Sequence, residues 1–340
     1  MIQFKIIVAG CGSMSNEWID CIEKDETAKI VALMDVKIEA AEAMAKRRGL
    51  QVPCYSDLSE ALADTNGNLL IDVTIPAAHK QVVTTALRSG YHVFGEKPIA
   101  ETLEDAVAVV QAADETGMTY AVMQNRRYTK PIRTLQQLVV ENKIGQIGSI
   151  HADFFIGPRF GGFREQMDSP LLVDMAIHTF DQARFLTGAD AVSVYCHEYN
   201  PLGSWYEGNA AAVCIFEMSN GAVFTYRGSW CTDGHKTSWD ADWRISGSKG
   251  SARWDGESAP VLEIRDESGT GEFIFPVQTV TAKNRWPGKE GHAGCLDEMF
   301  ASLKENRLAE TDCRDNIKSM KMVFGALESA RTGAKVSLID

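Results

Sequence analysis

The chain has 340 residues, enough for two domains with substantial cores. Its 45% hydrophobic and 24% charged content is that of an ordinary globular protein and excludes a disordered or fibrous chain. A formal net charge of −12 argues against a nucleic-acid partner, because a phosphate backbone is repelled without a concentrated basic patch.

The first 35 residues carry the strongest pattern. Phe4–Ala9 is an apolar run that reads as a buried strand, followed by the turn Gly10-Cys11-Gly12-Ser13-Met14-Ser15 and a helical segment from Asn16 to Glu23. A second apolar run, Ile30–Met34, ends in Asp35. This strand–turn–helix–strand layout is that of a dinucleotide-binding unit. Gly10 permits the tight turn, Gly12 lets a pyrophosphate approach the backbone, and the helix N-terminus offers N–H groups and partial positive charge. Ser15 stands at the third small position. Asp35 accepts hydrogen bonds from ribose hydroxyls and repels a 2′-phosphate, which favours NAD over NADP.

Strand-like and helix-like segments then alternate. Leu69–Thr74, Tyr91–Gly95 and Thr119–Met123 read as strands; His79–Ser89 and Leu103–Thr116 read as helices stopped by Gly90 and Gly117. Residues 1–123 are therefore expected to form a doubly wound α/β domain with a parallel sheet, the NAD-binding domain. Lys46-Arg47-Arg48 is the densest basic cluster and reads as the solvated end of the helix after Asp35.

After Gln124 the pattern changes. Arg133–Asn142 and Leu171–Thr187 read as helices. Ser149–Ile156, Val192–Tyr199, Ala210–Met218, Ala222–Trp230, Asp242–Ser246, Ala252–Trp254 and Val261–Arg265 read as strands, several with one-face alternation. Gly291–Asn306 and Asp312–Thr332 close the chain as helices. Residues 124–340 are expected to form an α+β domain on an open, mainly antiparallel sheet, to which the resemblance described below assigns substrate binding and oligomerisation.

The sequence opens without a charged-then-apolar leader, and no apolar run reaches the ~20 residues of a membrane span. The eight cysteines show no C-x-x-C and no regular spacing, the pattern of reduced thiols in a cytoplasmic protein. His292 and Cys295 are three apart but lack convergent partners, so no metal site is expected.

Two clusters carry chemistry. Gly95-Glu96-Lys97-Pro98 ends a predicted parallel strand, where ligands of open α/β sheets bind, and its proline is a candidate cis residue. In the helix from Leu171, Asp174, His178 and Asp181 are spaced to share one face, and a histidine beside carboxylates is a good proton acceptor near neutral pH.

Five motifs, Gly10-x-Gly12, Thr74-Ile75-Pro76 with His79, Glu96-Lys97-Pro98, Gln124-Asn125-Arg126-Arg127-Tyr128 and Asp174-x-x-x-His178, occur in this order. Together they resemble the Gfo/Idh/MocA family of NAD(P)-dependent oxidoreductases, which includes glucose–fructose oxidoreductase and inositol dehydrogenases. The likeness covers essentially the whole chain, including its closing Lys335-Val336-Ser337-Leu338. It implies that Lys97 hydrogen-bonds the reacting hydroxyl, that His178 is the general acid/base, and that Asp174 binds substrate and positions the base. Thr74, Pro76 and Glu96 match positions lining the nicotinamide side. With Gly10, Gly12, Ser13, Met14, Asp35, His79 and Lys97 they complete the expected cofactor site. The chain departs from the family pattern at Ser15, at Ala77, where many relatives have Asn, and at Met175-Ala176, where some have a glycine; none of these is a catalytic group.

The implied activity is NAD-dependent oxidation of a secondary alcohol in a sugar, polyol or inositol-like substrate. Asn125, Arg126, Arg164 and Asp174 are the expected substrate-binding residues. Arg127, Arg159, Phe160, Trp205, Trp230, His235 and Trp286 lie in segments that reach toward substrate, and Arg159 with Arg164 also suit a carboxylate. Two alternatives remain open: an enzyme that recycles tightly held NAD while cleaving or epimerising a sugar, and an NAD-sensing regulator, which the intact Lys97, Asp174 and His178 disfavour. The resemblance also implies a homodimer or homotetramer through the second-domain sheet.

Overall fold

The computed structural model describes residues 3–268 and 273–339, and the chain divides into two compact units. The first comprises residues 1–125 with 289–320, and the second comprises 126–288 with 321–340.

In the first unit, β1 (Phe4–Ala9), α1 (Ser15–Ile22), β2 (Ala28–Met34), α2 (Ile38–Arg48), β3 (Cys54–Tyr55), α3 (Leu58–Asp64), β4 (Leu69–Asp72), α4 (Pro76–Arg88), β5 (His92–Gly95), α5 (Leu103–Thr116) and β6 (Tyr120–Val122) follow in order. The six strands pair in parallel in the order β3-β2-β1-β4-β5-β6, the doubly wound arrangement of a Rossmann fold. The strands are apolar because both faces are covered: Ile6, Ile7, Val8, Leu69, Leu70, Ile71, Val93 and Phe94 are fully buried. Local signals set the helix ends. Gly49 and Gly117 close α2 and α5 in the left-handed conformation, and the Asp57 and Thr102 side chains accept from the backbone at the starts of α3 and α5.

The second unit begins with a short 3-10 turn and continues through α6 (Lys130–Val140), β7 (Ile147–Phe155), α7 (Ile177–Thr187), β8 (Ala191–Tyr199), β9 (Ala211–Met218), β10 (Val223–Ser229), β11 (Asp242–Gly247), β12 (Gly250–Trp254), β13 (Val261–Arg265) and β14 (Val277–Thr281). Its nine-stranded sheet runs β14-β13-β12-β11-β7-β10-β9-β8 and ends on a last strand, Val336–Ser337. All pairs are antiparallel except β7–β10. α7 packs its Phe180 edge-on against Phe216 at 4.9 Å and Tyr226 at 5.3 Å on the inner face. The opposite face leaves Tyr195, Val213 and Ile215 exposed.

Two helices complete the chain, α8 (Gly291–Lys304) and α9 (Cys313–Thr332). A linear reading assigns residues 289–320 to the second domain, whereas in the structure they pack with the first unit. The reason is aromatic: Phe300 of α8 lies 4.9 Å from Phe4 and 5.4 Å from Phe94. The backbone of Thr311 also extends the β6 ladder, accepting from Val122 at 2.9 Å. Among the described residues, no helix is long and apolar enough to cross a membrane, all eight cysteines are free thiols, and no group of three metal-ligating side chains converges.

Candidate active site

In the first unit, the turn after β1 requires its glycine. Gly10 has φ +90°, and a Cβ there would lie 2.5 Å from the Val73 carbonyl oxygen. Gly12 is the opposite case, since a Cβ there meets nothing within 4 Å. Ser15 is fully buried and its hydroxyl donates to the Gly12 carbonyl at 2.6 Å, so it packs as a third small residue and satisfies its own polar atom. Ser13 and Met14 are exposed beside it. Asp35, just past β2, accepts from the Cys11 N–H at 2.8 Å and the Lys37 N–H at 2.9 Å, one bond to each carboxylate oxygen.

These features fit a dinucleotide. The backbone at Gly12 is open, Asp35 is a fixed carboxylate past β2, and Val36 and Ile75 past β2 and β4 are exposed apolar surface.

The next turn is held by Asp72, the last residue of β4. It is fully buried, and its Oδ1 accepts from the Thr74 N–H at 3.0 Å and the Thr74 hydroxyl at 2.5 Å. Burial pushes its carboxyl above the usual range; the neighbouring His79 and the Thr74 bonds oppose that push, and Glu96 adds to it. Pro76 opens α4 as its first residue and is exposed. His79 stands behind the turns. It is 1% exposed, with Nδ1 2.7 Å from the Pro98 carbonyl oxygen and Nε2 3.1 Å from that of Thr74. It ties two backbone turns together.

Glu96 and Lys97 follow β5, and the Lys97–Pro98 peptide is cis. Burial raises the Glu96 carboxyl, but the nearby His292, 3.8 Å away, the hydrogen bond from Trp18 and the Lys97 charge outweigh it, so the group is held below the usual carboxylate range. Asn125 lies beside His292, with Nδ2 3.4 Å from Nδ1 of the ring. His292 has no local sequence signal for this place, being 196 residues beyond Glu96.

In the second unit, the expected helix from Leu171 to Thr187 is two pieces. Leu171–Ala176 is a π-helix, and α7 begins at Ile177. Asp174 is on the wide-turned piece and His178 on the first turn of α7. Such π segments are frequent at functional sites. The two aspartates have different arginine partners. Asp174 Oδ2 accepts from Arg164 Nε at 2.7 Å, whereas Asp181 is gripped by Arg127. His178 is 8% exposed. Arg164 sits on a 3-10 turn, Gly162–Gln166, with its guanidinium over Phe160 at 5.1 Å and Phe163 at 4.9 Å.

Arg126 bonds the Trp239 carbonyl and the Asp240 carboxylate, which fastens the start of the unit to that loop. Arg159 pairs with Asp233 at 3.0 Å and stacks 3.9 Å over Trp205. Phe160 packs on Trp230 at 5.4 Å, and His235 is exposed on the following loop. Trp286, in contrast, stacks on the buried Arg133 at 4.6 Å and serves the packing of this unit.

Two family models match the chain. Residues 4–124 match the oxidoreductase family with an NAD-binding Rossmann fold, and residues 132–253 match the GFO/IDH/MocA C-terminal domain. The chain belongs to the GFO/IDH/MocA oxidoreductase family. It is an enzyme of the oxidoreductase class whose first unit is an NAD-binding Rossmann domain. A protein of Sinorhizobium fredii called y4oX is 28% identical over 99% of this chain and 96% of its own. The D-apiose dehydrogenase of Paraburkholderia graminis is 25% identical over 99% of this chain and 90% of its own. An oxidoreductase from Agrobacterium radiobacter, solved with NAD+, L-tartaric acid and magnesium, shares the fold with a TM-score of 0.86 at 21% identity over 98% of both chains.

Proposed function

We propose that the protein is an NAD-dependent dehydrogenase acting on a secondary alcohol of a sugar, polyol or inositol-like substrate. The observation that carries this reading is the place of Lys97. It lies two residues past the C-terminal end of an interior parallel strand, beside a carboxylate held ionised, on the domain that binds the nicotinamide cofactor. The sugar dehydrogenase among the relatives supports the substrate class.

NAD, when bound, would supply the redox chemistry as the acceptor of a hydride from the carbinol carbon. Gly10, Gly12, Ser13, Met14 and Asp35 would hold its adenosine and pyrophosphate, and Thr74, Pro76 and Glu96 would line the nicotinamide side. His79 acts from behind by fixing the Thr74 and Pro98 backbones. His178 takes the hydroxyl proton at an imidazole nitrogen, and Lys97 favours the alkoxide that develops as the proton leaves. Asp174 binds substrate hydroxyls while Arg164 sets its carboxylate, and Asn125 and Arg126 supply further polar contacts. Domain roles follow: cofactor on the first unit, substrate and self-association on the second. The exposed apolar residues Tyr195, Val213 and Ile215 form the face that a second copy covers. The free thiols suit a reducing cytoplasm.

The test is NADH formation by purified protein with NAD against inositols, aldoses, sugar acids and glycosides, with product assayed separately. Net NADH with one class supports the dehydrogenase. Product without NADH overturns it in favour of cofactor recycling, and NAD binding with no turnover across the panel overturns it in favour of a sensor.

A further inference from the structure

We propose that His292, on the first turn of α8, is a positioning residue of this enzyme: together with Trp18 it clamps the Glu96 carboxylate that precedes Lys97. The inference rests on the reading of Lys97 given above.

Three separate stretches of the first unit meet at this carboxylate. Its side chain is 13% exposed, so most of its hydration must be replaced by protein donors. The Trp18 indole, fully buried in α1, donates to Oε1 at 2.7 Å. The Lys97 N–H donates to Oε2 at 3.3 Å. His292 Nε2 lies 3.8 Å from Oε1 on the side of α8. The ring is held from its other edge as well, where the Asn125 side-chain amide lies 3.4 Å from Nδ1. Asn125 thus fixes the ring, His292 and Trp18 set the carboxylate, and the carboxylate faces the Lys97 charge from a fixed point. The backbone is tied at the same place: Glu96 N–H donates to Asp72 O at 2.9 Å, and Met123 N–H donates to Gly95 O at 2.8 Å.

The geometry separates the two ends of the ring, and two substitutions separate them experimentally. His292→Gln keeps a donor at the Nε2 position; His292→Asn reproduces only the Nδ1 position. In the holoenzyme, His292→Asn is expected to lower kcat about tenfold with KM for the alcohol changed less than threefold, while His292→Gln stays within about threefold of wild type in kcat. A second readout does not depend on turnover. The Trp18 indole N–H resonance, assigned among the seven tryptophans with Trp18→Phe, should move in His292→Asn and remain near its wild-type position in His292→Gln. Equal kcat in the two variants, or an indole resonance that neither moves, overturns the proposal. Full turnover by Lys97→Ala would instead overturn the reading of Lys97, and the indole resonance alone would then decide whether His292 clamps Glu96.

Discussion

Arg127 holds Asp181 by two parallel bonds, Nε to Oδ2 at 2.6 Å and Nη2 to Oδ1 at 2.7 Å, with the side chains only 6% and 2% exposed. The pair joins the segment after β6 to α7, three residues beyond His178. Removing one member leaves a buried charge uncompensated, and Arg184, 3.9 Å from Asp181, worsens the imbalance. Asp181→Ala should therefore destabilise the protein by about 3–5 kcal/mol, read as a lowered denaturant midpoint. A change below ~1 kcal/mol would show that the pair does not anchor the helix.

The two glycines of the first turn should part company on substitution. Gly10→Ala places a methyl 2.5 Å from Val73 O at φ +90° and should cost about 1–3 kcal/mol of stability. Gly12→Ala meets no atom and should fold as wild type while weakening NAD binding by about tenfold or more, because the methyl fills the space the pyrophosphate needs. Thermal melts and calorimetric titration with NAD separate the two outcomes. Equal melting temperatures for both variants would contradict the account of Gly10.

For Asp35→Ala, the loss of a fixed acceptor should weaken NAD about tenfold or more, and the loss of its charge should narrow the preference for NAD over NADP. Titration with each nucleotide checks this. An unchanged NAD/NADP ratio would remove Asp35 from the ribose site.

Much of the first unit is legible because its signals are local. Leu103–Thr116 is bounded by Thr102 and Gly117, and the structure keeps those bounds. The apolar runs of β1, β4 and β5 are short, continuous and buried on both faces. The site is less legible. Nothing in the spacing of Leu171–Ala176 distinguishes a π-helix from an α-helix, so the change of helix type between Asp174 and His178 is not readable in the sequence. His292 meets Glu96 through tertiary packing, such as that of Phe300 on Phe4 and Phe94, a contact between segments far apart in sequence. β14 escapes because each of its five residues is exposed, leaving no alternation to read.

Glu198 on β8 provides a pH-dependent prediction. Burial raises its carboxyl to about 7, with hydrogen bonds from Ser169 and Asn209 opposing. In the unfolded chain it titrates near 4.5. The folded state therefore holds the proton more tightly, and the stability this contributes is present below pH ~4.5 and lost as pH rises through about 7. Glu198→Gln should be more stable than wild type at pH 8, by on the order of 1 kcal/mol given its partial exposure, with the difference closing by pH 5. A gain that does not vary with pH would contradict the titration.

The central claim is that Lys97 and His178 act on the alcohol. Its most direct test is the initial rate of NADH formation with the substrate found in the panel, measured for wild type, Lys97→Ala and His178→Ala, with folding checked by thermal melts. The account predicts a loss of at least ~10²-fold in turnover for each variant with melting intact. Near-wild-type turnover in both would contradict it.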